Sequence, residues 1–348
     1  MTTPTDMLVE PSRRTAGQRA LTTILTSRES AIALVLILVV LAATTQRSSF
    51  LFSSDSWRDL LLAPSILLLL AVGQAVVIIT RNVDLSVGST LALTAYLTGR
   101  LFVDNPGIPV ILVFLIGIAV GAVLGLINGL LVAFGRVPAL VITLGTMYIY
   151  RGVVLEWAGS DRINASDMPK EFLGLGTAQI LYIPVLTLIA VGVLIAAGWY
   201  LRNQRGGREL YAIGSDPDAA NLYGLKVTQR VLYAFVLCGA LAGLAGVLFA
   251  ARYGTVNAQA GSGFELEAVG AAVIGGVAIF GGSGTVWGAA IGAYLLFTIN
   301  RALPILGVQD FWQRAVVGVL IIGAIVLDRV LALRSTRKLV EARDAGNV

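Results

Sequence analysis

Residues 109–134 read PVILVFLIGIAVGAVLGLINGLLVAF. The stretch holds no charged side chain and exceeds the roughly 20 apolar residues that a helix needs to cross a bilayer. Within it Gly117, Gly121, Gly125 and Gly129 recur at every fourth position. That spacing gathers the glycines on one helix face. In lipid, where one apolar surface is as good as another, small residues let two helix backbones approach closely and gain dispersion contacts. The segment therefore predicts a membrane helix with one face against a neighbouring helix. The same spacing recurs in Gly239 with Gly243, and in Gly284, Gly288 and Gly292.

Working outward, further apolar runs lie near 30–46, 60–80, 84–103, 138–158, 178–201, 230–252, 266–281, 285–302 and 311–333. Only 13% of the 348 residues are charged, against roughly 25% in soluble domains. Mean hydropathy is +0.84. The expected fold is all-α, a polytopic membrane protein of about ten transmembrane helices. Two pairs of runs nearly touch: residues 81–83 separate one pair, and 281–284 the other. Irregular backbone at membrane depth is tolerated where it is buried or lines a cavity, so both pairs are read as broken or tightly connected helices. A weak internal repeat runs through them. Residues 71–78 (AVGQAVVI) parallel 268–274 (AVGAAVI), and at the same offset Ser86 falls opposite Ser283. Repeated halves are common in transporters.

Lys and Arg set the orientation. One set of loops carries Arg13, Arg14, Arg19, Arg28, Arg81, Arg136, Arg202, Arg205, Arg208, Lys226, Arg230, Arg329, Arg334, Arg337, Lys338 and Arg343. The other carries only Arg47, Arg58, Arg100, Arg162, Lys170, Arg252, Arg301 and Arg314. Both termini are thus expected in the cytoplasm. The division is a cytoplasmic tail over 1–29, a membrane domain over 30–335 and a cytoplasmic tail over 336–348. The first apolar run follows a long polar stretch without a clear cleavage site and reads as a retained span.

Several chemistries are disfavoured. There is no histidine, the commonest general base and metal ligand near neutral pH. The lone Cys238 lies in an apolar run and offers no disulfide framework. No catalytic residue, metal or cofactor is expected. Gly282-Ser283-Gly284-Thr285 lacks the Gly-Lys-[Ser/Thr] ending of a phosphate-binding loop, so any ATP must be hydrolysed by a partner. No run of buried carboxylates suggests ion coupling.

The longest polar interruption, about 202–230, lies on the expected cytoplasmic side. At its centre are Asp218, Ala219, Ala220 and Gly224. A short helix over about 217–224, capped by Asp216 or Asp218 and ended by Gly224, is expected there. Its two small alanines would admit the surface groove of a soluble ATPase. Asp84, Ser86 and Gly88 form one expected turn, with Asp84 as the cap of the next helix near the membrane interface. Gly282 and Gly284 form the other turn. The polar residues Gln74, Asn128, Tyr148 and Asn300 inside spans are candidates for a substrate path, and equally for helix–helix hydrogen bonds.

Read together, these motifs resemble the permeases of bacterial ATP-binding-cassette importers for monosaccharides, of the ribose, xylose, rhamnose and autoinducer-2 type. The segment from Thr80 to Ser89 is similar to the family signature. Thr143-Leu144-Gly145-Thr146 with Tyr150-Arg151-Gly152 is similar to its fifth-span segment. Gly275-Gly276 and residues 281–285 resemble its C-terminal glycine pattern. Asp218-Ala219-Ala220 followed by Gly224 resembles the importer loop written E-A-A-x3-G, with Asp in place of Glu. The resemblance implies a non-catalytic, multi-pass subunit of the bacterial plasma membrane. It also implies an ATPase, an extracytoplasmic sugar-binding protein and a second permease subunit as partners, and no nucleic acid. The expected cargo is a monosaccharide or related small polyol, with rhamnose or autoinducer-2 favoured over ribose or xylose. The alternatives are a branched-chain amino-acid permease of similar fold and an ion-coupled secondary transporter.

Overall fold

The computed structural model describes residues 28–135, 137–309, 312, 315–316, 318–320, 322–323 and 326. The expected span 311–333 falls mostly outside these residues, and both tails fall almost wholly outside them. The helices are α1 (Arg28–Gln46), α2 (Ser49–Phe52), α3 (Ser54–Leu62), α4 (Pro64–Ile79), α5 (Val87–Asp104), α6 (Val110–Gly135) and α7 (Ala139–Ala158). They continue with α8 (Lys170–Thr177), α9 (Val185–Asn203), α10 (Arg205–Ser215), α11 (Pro217–Leu222), α12 (Val227–Tyr253), α13 (Phe264–Ile274) and α14 (Val286–Ile305). The only paired strands among the described residues are β1 (Gln179–Ile180) and β2 (Ile183–Pro184), a short antiparallel hairpin.

The chain is a polytopic helical membrane protein. Seven helices are long and apolar enough to cross a membrane among the described residues, with α3 and α4 counted as one. α4 forms the centre, because every one of its residues is buried. α6 and α7 instead expose Ile111, Leu115, Val123, Phe134, Val141 and Ile149, as lipid-facing helices do.

The glycine stripes lie where helices touch. A Cβ added at Gly121 would come within 2.3 Å of Gly239 O, and one at Gly239 within 2.3 Å of Gly121 O. Gly125 meets Phe235 O at the same distance, and Gly243 meets Gly117 O. α6 and α12 are thus in backbone contact along the predicted face. α13 and α14 repeat the arrangement, with Gly288 against Gly275 O and Gly292 against Ala271 O, each at 2.0 Å from the added Cβ.

Both tight connections are breaks between helices. Residues 80–86 join α4 to α5, and 275–285 join α13 to α14. The expectation of a span over 266–281 needs correction. α13 ends at Ile274 after 11 residues, and glycines at 276, 281, 282 and 284 adopt positive φ beyond it. Side-chain-bearing residues rarely adopt that backbone, so the helix ends there.

Candidate functional site

The two helix breaks and the polar loop meet at one end of the bundle. α10 and α11 extend from that end, and Gly214, near the close of α10, is wedged between the breaks. A Cβ at Gly214 would lie 1.7 Å from Ile79 O and 2.5 Å from Gly282 N. Gly282 N donates to Ile79 O at 3.0 Å. The Arg81 guanidinium donates to Gly214 O and to Ser215 O. Tyr211 OH donates to Gly284 O at 3.0 Å.

Glu209 fixes the rest of α10. Its carboxylate accepts from Arg230 of α12 at 2.6 Å and from Arg205 at 2.8 Å. The hydrogen bond from Arg230 is the largest influence holding the Glu209 carboxyl below its ordinary range, and Arg205 adds to it. The shift is one of preferential hydrogen bonding to the charged form.

α11 is capped as its sequence predicts. Asp216 Oδ1 accepts from Asp218 N and Ala219 N, each at 3.0 Å, and Pro217 takes the first helical position, where a missing N–H costs nothing. Of the two capping alternatives, Asp216 is the cap. Gly224 follows at φ +78, with nothing within 4 Å of its missing side chain.

Of the two alanines expected to admit an ATPase groove, only Ala219 is partly exposed. Ala220 is buried and packs inward as part of the protein's own core. The outward positions are Asp218, Asn221, Leu222 and Tyr223, and the last two are each 88% exposed. Sequence reasoning passed over both. Their signal was two large apolar side chains inside a short charged loop.

The first helix break is held by a buried polar network. Asp84 Oδ1 accepts from Ser86 N at 2.9 Å and Ser86 Oγ at 2.7 Å. Asn128 Nδ2 donates to Ser86 Oγ at 2.8 Å and to Asp84 Oδ1 at 3.3 Å. Its Oδ1 faces Tyr150 OH at 3.4 Å. Thr143 Oγ1 donates to Val83 O at 3.1 Å. Gln74, with its amide turned to satisfy both groups, pairs with Asp84 N and Asp84 O at 3.1 Å each. Asp84 was expected as a helix cap near the interface. It is buried instead, and α5 has Ser86 in its cap position. Asp84 closes a turn onto the residue two positions on, which short acidic side chains do well. Gln74 and Asn128 are thus brought together with Asp84 and Ser86. Tyr148 and Asn300 stand outside that network. Tyr148 is exposed on α7, and Asn300, on α14, has a buried Oδ1 without a hydrogen-bond partner. Gly88 lies close to Glu265, whose Oε2 would be 2.1 Å from a Cβ there.

At the opposite end of the bundle a polar pocket of about 520 Å³ opens between α3, α8 and the ends of α12 and α14. Asp59 bridges Arg252 and Arg301 there, each at 3.3 Å. Arg58 Nε and one terminal nitrogen of Arg252 are buried without acceptors.

Comparison with known proteins places these features in a family. Residues 57–325 match the family described as branched-chain amino acid transport system / permease component. The autoinducer 2 import system permease protein LsrC of Enterobacter sp. (strain 638) is 38% identical over 272 residues, 78% of each chain. Its namesake in Klebsiella pneumoniae subsp. pneumoniae is 37% identical over 308 residues, 88% of each chain. That of Salmonella paratyphi B is 36% identical over 274 residues, 79% of this chain and 78% of the relative. No solved structure matches.

Proposed function

This chain belongs to the permease-component family of branched-chain amino acid transport systems, and on that premise we propose that it carries autoinducer-2, or a sugar of similar size and polarity, inward across the bacterial inner membrane. It is the permease subunit of an ATP-binding-cassette importer of the sugar type. The named relatives favour autoinducer-2 and lend no support to rhamnose. They also do not favour branched-chain amino acids, despite the family's description.

The reading of mechanism rests on one observation above the others: α11, a capped surface helix presenting Leu222 and Tyr223. Two adjacent large side chains exposed on a capped helix within a polar loop suit contact with another protein. Here the expected occupant is the ATPase, because the chain has no phosphate-binding loop of its own. Asp218, Leu222, Tyr223 and Gly224 form the handle, and Ala219 and Ala220 seat it on the bundle. Both termini and this loop are cytoplasmic in this reading, with the membrane domain over 30–335. The subunit itself performs no hydrolysis.

Two permease copies, or one with a paralogue, enclose the path. Tyr148 is exposed, with a hydroxyl able to meet a hydroxylated solute, whereas the unpartnered Oδ1 of Asn300 is buried beside the path. Gln74 and Asn128 act by holding the break at residues 80–86. Gly282 and Gly284 shape the second break. In this reading the pocket with Arg58, Arg252 and Arg301 lies on the outer face, and its net basic lining suits acidic groups on a solute-binding protein.

The test is uptake. Proteoliposomes containing this permease, its ATPase and its binding protein are offered labelled autoinducer-2, rhamnose, ribose, xylose and leucine. ATP-dependent accumulation of autoinducer-2 above the others supports the reading. Leucine as the preferred cargo refutes it.

A further inference from the structure

We propose that Arg81 is the positioning residue that transmits movement of α11 to the membrane helices. The inference rests on the reading of α11 as the ATPase handle.

Arg81 lies in the first helix break at φ +65. A non-glycine residue in that region is uncommon, and glycine adopts it with least strain. What arginine adds at this position is therefore its side chain. That side chain donates to the carbonyls of Gly214 and Ser215, the last two residues of α10. The next residue, Asp216, caps α11. One guanidinium thus ties the base of the handle to the break that begins α5.

The junction has little slack. Ile79 O, two residues before Arg81, accepts from Gly282 N in the second break. A Cβ at Gly281 would fall 2.4 Å from Arg81 Cγ. Tyr211 OH binds Gly284 O, just before α14. Beyond Arg81 the chain enters the Asp84–Ser86–Asn128 network and then α5. Close-packed elements move as blocks rather than deforming continuously. A displacement of α11 therefore carries the start of α5 with it, provided that Arg81 holds Gly214 and Ser215.

The test uses the full permease in nanodiscs with its ATPase. Val103→Cys, at the exposed far end of α5, is labelled with fluorescein maleimide; the native Cys238 is buried. Labelling rates are compared without nucleotide and with ATP and vanadate, and retention of the ATPase is measured in parallel. With Arg81 intact, trapping is expected to change the rate several-fold. Arg81→Gly suits the turn and removes the clamp. It is expected to keep the ATPase bound and abolish the change, while Arg81→Lys keeps part of it. The proposal is overturned if Arg81→Gly retains the full change, if the parent shows none, or if Arg81→Gly loses the ATPase. Failure of the docking reading has a separate signature: Leu222→Glu with Tyr223→Glu would leave the ATPase bound.

Discussion

Replacing Gly121 by alanine adds one methyl group at the contact between α6 and α12. Its carbon would lie 2.3 Å from Gly239 O and 2.7 Å from Gly243 Cα. That is roughly 1 Å inside ordinary van der Waals contact, and the obstructing atoms are backbone, so no rotamer change relieves it. The helices must separate, which loosens the contacts along the whole stripe. Overpacking of this kind costs typically 1–3 kcal/mol, and the upper half is expected because both sides of the contact are rigid. Gly145→Ala on α7 is the control, since nothing lies within 4 Å of its added methyl; no loss is expected there, and alanine's better helix propensity adds up to about 1 kcal/mol. The assay is reversible unfolding of the purified permease by SDS in mixed micelles. Gly121→Ala and Gly239→Ala press on one contact from opposite sides, so the double variant should lose less than the sum of the singles. Equal stabilities for Gly121→Ala and Gly145→Ala, or strict additivity in the double variant, would refute the reasoning.

Asn128→Leu removes the Nδ2 donor shared by Ser86 Oγ and Asp84. Unmet buried polar groups cost about 1–3 kcal/mol each, so unfolding should shift to lower SDS while the helix content by circular dichroism is kept. Glu209 predicts a pH effect of definite sign. Its folded pKa lies below the ordinary glutamate value of 4.5. Its contribution is therefore complete above that value and is lost as pH falls through the lower folded value. Hydrogen exchange of residues 205–215 should rise relative to the rest of the chain as pH drops below 4.5, and Glu209→Gln should flatten that dependence. A steeper dependence in Glu209→Gln would contradict the pairing with Arg230 and Arg205.

Much of the fold was legible because membrane solvation is unforgiving. Long apolar runs and fourfold glycine spacing have few alternative readings in lipid, and α6 and α12 meet along the stripe that the sequence defined. The α11 cap was legible as one of two neighbouring aspartates for a similar reason: it acts within three residues. The depth of Asp84 was not, because its burial depends on Asn128, 44 positions away. Nor was the inward turn of Ala220. In a six-residue helix, one-sided contact with the bundle decides which face is hidden, and composition carries no trace of it. The length of α13 was obscured because Val277 and Ile279 continue the apolar run past Ile274, although Gly275 and Gly276 mark its end.

The most direct test of the account is retention of the ATPase on affinity-purified permease carrying Leu222→Glu and Tyr223→Glu. Both side chains are 88% exposed, so the substitutions leave the permease's own packing intact. The expected result is normal insertion and monodispersity, with ATPase recovery reduced at least tenfold. Recovery equal to that of the unmodified permease would contradict the assignment of α11 as the handle by which this importer is driven.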